Sequence, residues 1–187
     1  MNLTSGLWIA IAADIIIFGT SIYWAYTTDL IKDSQINTAT MQRPYSLSRA
    51  QLLWWVNVVA ICAIFLFAKE QTFPLLNSTA LILLGISAGT TVSGRIIDNN
   101  KVQNDLKKGL TASLNATKDN FVNDILSDEN GISVQRFQGL IFNVILGVFF
   151  MVKFFTDFKM PDFGTQELAL LGVSSSTYIA SKINENT

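Results

Sequence analysis

Long apolar segments separated by short polar ones dominate the chain. A helix needs about 20 mostly apolar residues to cross the hydrocarbon core of a bilayer. By that measure the pattern predicts four transmembrane helices, at residues 7–26, 51–68, 78–94 and 139–155. A fifth segment, 168–181, is shorter and contains four consecutive hydroxyl residues, so hydropathy alone does not predict that it crosses.

The first apolar segment is interpreted as a retained helix and not as a signal peptide. No Lys or Arg precedes it, and aromatic residues stand where the small residues of a cleavage site would be expected. Trp8 near its start and Trp24 near its end occupy the positions that are typical of the two interfacial aromatic belts.

An internal repeat changes the interpretation of the fifth segment. Residues 46–100 align with residues 133–187 without a gap, at a constant offset of 87 residues. The alignment places SLSRAQ over SVQRFQ, LLGISAGT over LLGVSSST, and one proline over the other. Such self-similarity indicates a duplicated structural unit. We therefore expect 168–181 to span as 78–94 does, with each unit forming a helical hairpin that turns at its proline.

The predicted fold is an all-α integral membrane protein with five transmembrane helices in one domain, 1–187. One leading helix precedes two hairpins of the same orientation, which makes the repeat parallel, unlike the inverted repeats of many transporters. With the N-terminus outside, ten Lys and Arg residues fall on the inner side and three on the outer side. The positive-inside rule therefore predicts that the N-terminus is outside and the C-terminus in the cytoplasm.

Composition removes several classes of function. Half of the residues are hydrophobic, 14% are charged and the net charge is −1, so the basic excess needed for nucleic-acid binding is missing. The chain contains no His and a single Cys, which excludes His-based catalytic triads and His or Cys-rich metal sites. We expect no enzymatic activity, no cofactor, no metal and no nucleic-acid partner.

Asp14 is the strongest single candidate for a functional residue. It lies seven residues beyond the start of the first span, about 10 Å into the hydrocarbon at a rise of about 1.5 Å per residue. An ionised carboxylate is costly there, so an intramembrane acid is a functional hypothesis by default. Asp14 either belongs to a cation path or proton-binding site, or makes an interhelical hydrogen bond in its protonated form. Asn57 and Asn143 are the next polar residues in spans, and interhelical hydrogen bonding is their expected role.

A Gly-x-Ser-x-x-Thr pattern occurs once in each repeat unit and has two interpretations. Small residues four apart let helix backbones approach closely, and this packing role is assigned to Gly85, Gly89, Gly172 and Ser176. Alternatively, hydroxyl groups line a polar pathway, in which case the lining residues are Ser87, Thr90, Thr91, Ser174 and Thr177.

Polar features on the inner side of the membrane are interpreted in two ways. Arg49, Arg95, Arg136 and Lys182 are predicted at the inner headgroup level, as interfacial anchors on anionic lipid or as a subunit contact or charged pore mouth. Apolar residues recur every four positions within 101–132, ahead of the turn sequence Asp-Glu-Asn-Gly. This amphipathic segment either packs under the bundle or on the membrane surface, or docks a cytoplasmic protein partner.

Several longer motifs resemble those of a group of uncharacterised bacterial multi-span membrane proteins. They are YSLSRAQ, LLGISAGT, DILSDENGISVQRFQ and MPDFGTQELALLGVSSSTY, in that order. The resemblance implies a bacterial inner-membrane protein and carries no activity. The chain has Gln135 where the group's pattern has a His before Arg136, so any role of that His is not expected here.

Two functions are compatible with these patterns. The first is a small inner-membrane protein that associates into a homo-oligomer and forms an ion channel or pore, with the small-residue helices at the contacts. The second is a structural or signalling membrane subunit that docks a cytoplasmic partner through its inner loops.

Overall fold

The computed structural model describes residues 3–33, 43–72, 74, 76–107, 120–128 and 131–185. Within these residues the secondary-structure elements are helices, apart from one hairpin of two-residue strands. The elements in chain order are α1 (Leu3–Thr27), α2 (Leu47–Glu70), α3 (Ser78–Lys107), α4 (Phe121–Leu126), β1 (Ser127–Asp128), β2 (Gly131–Ile132), α5 (Val134–Asp157) and α6 (Thr165–Glu185).

Four helices of the described chain are long and apolar enough to cross a membrane. They are Gly6–Thr27, Leu47–Glu70, Ser78–Lys101 and Val134–Asp157, and each contains one of the four apolar segments predicted from hydropathy. The remaining long helix is α6. Its 21 residues are long enough to cross a membrane, but it is not among the four. Its hydroxyl run lowers its mean hydropathy, as it does in the sequence pattern.

The two hairpins have matching boundaries. Helices α2 and α5 begin at 47 and 134 and end at 70 and 157, while α3 and α6 begin at 78 and 165, so each pair is 87 residues apart. The first helix of each hairpin follows an extended serine and ends in a left-handed residue, Gln71 (φ 55°) or Phe158 (φ 48°). The N–H of that residue donates to the carbonyl four positions earlier, which ends the helix in the same way in both hairpins.

The two hairpins lie side by side, with α2 against α5 and α3 against α6, and α1 packs on the other side of α2. The main core lies between the hairpins and is built on large side chains. Trp55 contacts Phe150 edge-on at 6.1 Å between ring centroids, and Phe150 contacts Phe163 at 5.5 Å. Cys62 is fully buried in the same core.

The turns of the two hairpins are tied to each other at one end of the bundle, which we call the proline end because it carries Pro74 and Pro161. The Asn77 side-chain amide donates to the carbonyl of Pro161 at 2.9 Å and to the Asp162 carboxylate at 2.7 Å. The N–H of Phe163 donates to the Thr79 hydroxyl at 3.0 Å. These bonds hold the hairpins together where they turn.

The opposite end, which we call the basic end, carries Arg49, Arg95, Arg136 and Lys182. Ser46 precedes the first residue of α2 in an extended conformation, and its side chain makes no capping hydrogen bond. The hydroxyl oxygens of Ser46 and Ser48 instead lie 3.3 Å apart and both residues are buried.

The amphipathic segment 101–132 is not one helix. Its first residues continue α3 to Lys107, residues 108–119 lie outside the described chain, and α4 is a six-residue helix. Ile125 and Leu126 of α4 are buried under the bundle in a cluster with Leu47 and Tyr178, and β1 and β2 flank the turn sequence that follows. For the described part, the structure therefore agrees with packing under the bundle.

Candidate functional site

Asp14 lies on the side of α1 that faces α2 and is 9% exposed. Neither carboxylate oxygen of Asp14 has a hydrogen-bond partner among the described residues. The interhelical hydrogen bond considered from the sequence is therefore not formed among the described residues, and the buried acid is left available for an ion or a proton.

A cavity of about 400 Å³ separates α1 from α2 on the basic-end side of Asp14. Tyr45 and Phe121 line it towards the basic end, and Phe18 and Asn57 line it towards the membrane interior. Phe18 follows Asp14 by four residues, one turn of the same helix. The cavity thus reaches to within about one helical turn of the buried carboxylate.

Asn57 places an unpaired polar atom beside this cavity. Its amide nitrogen donates to the carbonyl of Leu53, on its own helix, at 2.8 Å. Its side-chain oxygen is buried without a hydrogen-bond partner in the described chain. Asn57 therefore does not make the interhelical bond expected from the sequence, and its free oxygen can accept a bond from water or coordinate a cation.

Asn143 does make the expected interhelical bond. Its side-chain oxygen accepts from the indole N–H of Trp55 at 2.8 Å, and its amide nitrogen donates to the carbonyl of Gly139 at 2.8 Å. Both residues are buried. This polar contact joins α2 to α5 and therefore joins the two hairpins.

We predict that Asn143→Leu lowers the free energy of unfolding by about 1–2 kcal/mol, because the buried Trp55 indole N–H loses its acceptor. Stability of the purified protein in detergent can be followed by denaturant titration. The double variant Asn143→Leu/Trp55→Phe removes the orphaned donor as well, so the coupling between the two substitutions isolates the bond. Strictly additive losses would contradict this assignment.

The hydroxyl residues of the repeated pattern fall into two groups. Ser87 and Ser174 are buried, and the Ser174 hydroxyl has no partner within the described chain. The threonine hydroxyls donate to carbonyls of their own helices, Thr90 to Ile86 and Thr177 to Val173. Thr91 donates to the carbonyls of Ser87 and Ser48. None of these five residues lines the cavity beside Asn57.

The small residues of the pattern face away from the neighbouring helices of the chain. A Cβ atom added at Gly85, Gly89 or Gly172 would meet nothing within 4 Å in the described structure, and Ser176 is exposed. The close packing that their spacing indicates is therefore not made within one chain. A close contact does occur at Gly147, against the side chain of Trp54, and the sequence pattern did not single out this glycine.

A buried ion cluster closes the basic end. The Lys182 ammonium lies 2.6 Å from a carboxylate oxygen of Asp98 and 3.4 Å from one of Asp33, and Lys182 and Asp98 are each 5% exposed. Burial alone would lower the pKa of Lys182, but neighbouring Tyr178 and the carboxylates of Asp33 and Asp98 raise it above its ordinary value. The Lys182 ammonium thus joins α6, α3 and the segment after α1.

Sequence reasoning placed Lys182 at the membrane interface and missed its two acidic partners. Asp33 and Asp98 are 149 and 84 residues away in the chain, so no local pattern connects them to Lys182.

The other basic residues differ among themselves. Arg136 is buried with its guanidinium 5.5 Å from the centre of the Tyr178 ring, whereas Arg49 and Arg95 line an open groove.

The fold and these sites define the class of the protein: a helical membrane protein with several apolar helices long enough to span a bilayer. No protein-family model matches the chain, and neither a curated protein nor a solved structure is significantly similar to it.

Proposed function

We propose that the chain is a small bacterial inner-membrane protein that assembles into a homo-oligomer and conducts protons or small cations through a path that includes Asp14. The observation that carries the proposal is the buried Asp14 carboxyl group with both oxygens unpaired. Burying an unpaired carboxyl group costs several kcal/mol when it is ionised. A site of this kind fits a group whose ligand is a transported ion or proton.

The path that we propose follows the interface between α1 and α2. From the basic end it enters the cavity of about 400 Å³, passes the free side-chain oxygen of Asn57, and reaches Asp14 about one turn further along α1. The cavity is mostly apolar, and Ser21 and Asn57 are the polar residues of its wall at mid-helix. Ser21 and Asn57 are therefore the groups that can bind a water on the way to the carboxyl, because a cavity holds water only beside polar partners.

Assembly of several copies is supported by the outward-facing side of α3. Gly85 and Gly89 lie on this side with no neighbour within 4 Å, between the exposed side chains of Leu81 and Val92. Small residues at this spacing favour close helix contact in a membrane. We propose that a second copy supplies the contact, which a single chain does not make.

The same proposal includes five spans and a duplicated hairpin. The boundaries of α2 and α5, and of α3 and α6, are 87 residues apart, which supports the repeat, and α6 packs against α3 and α5 along the bundle. A helix in that position crosses if its neighbours do. The basic end then faces the cytoplasm, with the N-terminus outside, because most Lys and Arg residues lie there.

We predict that Asp14→Asn lowers the conductance of the purified protein in a planar bilayer by about tenfold, equivalent to about 1.4 kcal/mol. The amide neither attracts a cation nor carries a proton across the site. Asp14→Glu keeps the carboxyl group and is expected to conduct, and Asp157→Asn removes an exposed carboxylate at the proline end as a matched control. Because Asp14 has no hydrogen bond to lose, Asp14→Asn is expected to fold normally.

Conductance that is unchanged in Asp14→Asn would refute the role of Asp14. Absence of conductance in every variant, in preparations with a defined oligomer, would refute conduction and favour the second candidate, a subunit that docks a cytoplasmic partner.

One observation favours that candidate. Apolar side chains are exposed together near the basic end, on α4, β2 and the first turn of α5: Val122, Ile132, Val134 and Phe137.

A further inference from the structure

An open groove of about 450 Å³ lies at the basic end between the segment after α1 and the adjoining parts of α2 and α3. Its wall is mostly apolar and includes Leu30, Leu52, Leu53 and Val56. Arg49, near the start of α2, and Arg95 of α3 also line it. The groove therefore combines two guanidinium groups with an apolar surface, at the level where the predicted spans meet the headgroups.

The two arginines have no counter-charge in the described protein. Neither Arg49 nor Arg95 makes a hydrogen bond or an ion pair with a described residue. Asp29 also lines the groove, but its carboxylate already binds Lys32 at 3.5 Å and Arg43 at 3.0 Å. The adjoining segment 34–42 contains no Asp or Glu that could supply another carboxylate.

The second hairpin has basic residues at the two equivalent positions, and there other groups of the protein pack against them. Arg136 and Lys182 follow Arg49 and Arg95 by 87 residues. Both are buried; Lys182 is held by two carboxylates and Arg136 lies over the Tyr178 ring. The first hairpin also has two cations, Arg49 and Arg95, but the space around them is an open groove. An anion from outside the protein fits the place that protein groups fill in the second hairpin.

We propose that this groove is a binding site for an anionic phospholipid. Arg49 and Arg95 bind the phosphate of the headgroup, for which the planar guanidinium has a matching geometry. One acyl chain lies along Leu52, Leu53 and Val56, a surface that a free phosphate ion would leave uncovered. This inference does not depend on ion conduction, since Arg49 and Arg95 lie neither beside Asp14 nor in the wall of the cavity beside Asn57.

Native mass spectrometry of the purified full-length protein tests the proposal. The protein is mixed with equal amounts of phosphatidylglycerol and phosphatidylcholine, and the lipid retained per chain is measured. We expect the wild type to retain one phosphatidylglycerol in preference. The double variant Arg49→Gln/Arg95→Gln is expected to lose about 30-fold in affinity for it, the value of two basic residues near an anionic surface.

The single variant Arg95→Gln is compared with a matched control on the same helix. The control is Lys107→Gln, which removes a charge from α3 outside the groove. We expect Arg95→Gln to weaken phosphatidylglycerol retention and Lys107→Gln to leave it within about twofold of wild type. Equal losses in both single variants would show general attraction to the surface and overturn the site. Equal retention of the two lipids, or displacement of the bound lipid by millimolar inorganic phosphate, would overturn it as well.

Discussion

Replacing Lys182 with methionine is expected to lower the free energy of unfolding by about 3–5 kcal/mol. The substitution keeps most of the side-chain volume but removes the cation that lies between Asp98 and Asp33. Breaking a buried ion pair by removing one partner has a cost of this size, because the remaining charge is left uncompensated. Unfolding of the purified protein in detergent, followed by helical signal against denaturant, measures the loss.

Two comparisons separate the ion cluster from a general effect of charge. Lys107→Met removes an exposed cation at the end of the neighbouring helix, and we expect a change within about 0.5 kcal/mol. The double variant Lys182→Met/Asp98→Asn removes a buried charge of each sign, so it should be more stable than Lys182→Met alone. A double variant that is no more stable than Lys182→Met would contradict the assignment of the Lys182–Asp98 pair.

Gly147→Ala is expected to destabilise the protein by about 1–3 kcal/mol, the usual cost of overpacking a filled core. A Cβ atom at this position of α5 would lie 2.7 Å from Cε2 and Cζ2 of the Trp54 indole and closer still to its Nε1. The Trp54 indole is a rigid double ring, so all of it must shift to make room for the added methyl group. The same denaturant titration in detergent measures the loss.

A second glycine of α5 provides the control for this prediction. At Gly139 the nearest atom to an added Cβ is a side-chain nitrogen of Gln51 at 3.7 Å, an ordinary contact. Gly139→Ala should therefore be neutral or stabilising by up to about 1 kcal/mol, because alanine is the better helix former. In a Trp54→Leu background the cost of Gly147→Ala should fall below about 0.5 kcal/mol; an unchanged cost there would place the clash elsewhere.

The candidate sites show how far local sequence patterns reach in this chain. Asp14 was identified correctly as a buried acid, because the sequence shows a single carboxylate inside an apolar segment. The cavity that approaches it was not visible, since it is formed by residues of α1, α2 and α4 that are far apart in the chain. The spacing of Gly85 and Gly89 showed that they share a helix face but not what that face meets, and among the described residues an added Cβ there would contact no other helix.

Apolar length in the sequence was enough to locate the four helices that are long and apolar enough to cross a membrane, because short polar connections separate the apolar segments clearly. The starts of α2 and α5, and those of α3 and α6, are 87 residues apart, which is the offset at which the sequence aligns with itself. Contacts between distant residues required the folded chain: Lys182 with Asp98, Trp55 with Asn143, and Trp54 with Gly147. The physical reason is that burial and pairing depend on which helix faces meet, and every apolar face in a membrane protein has lipid as an alternative partner.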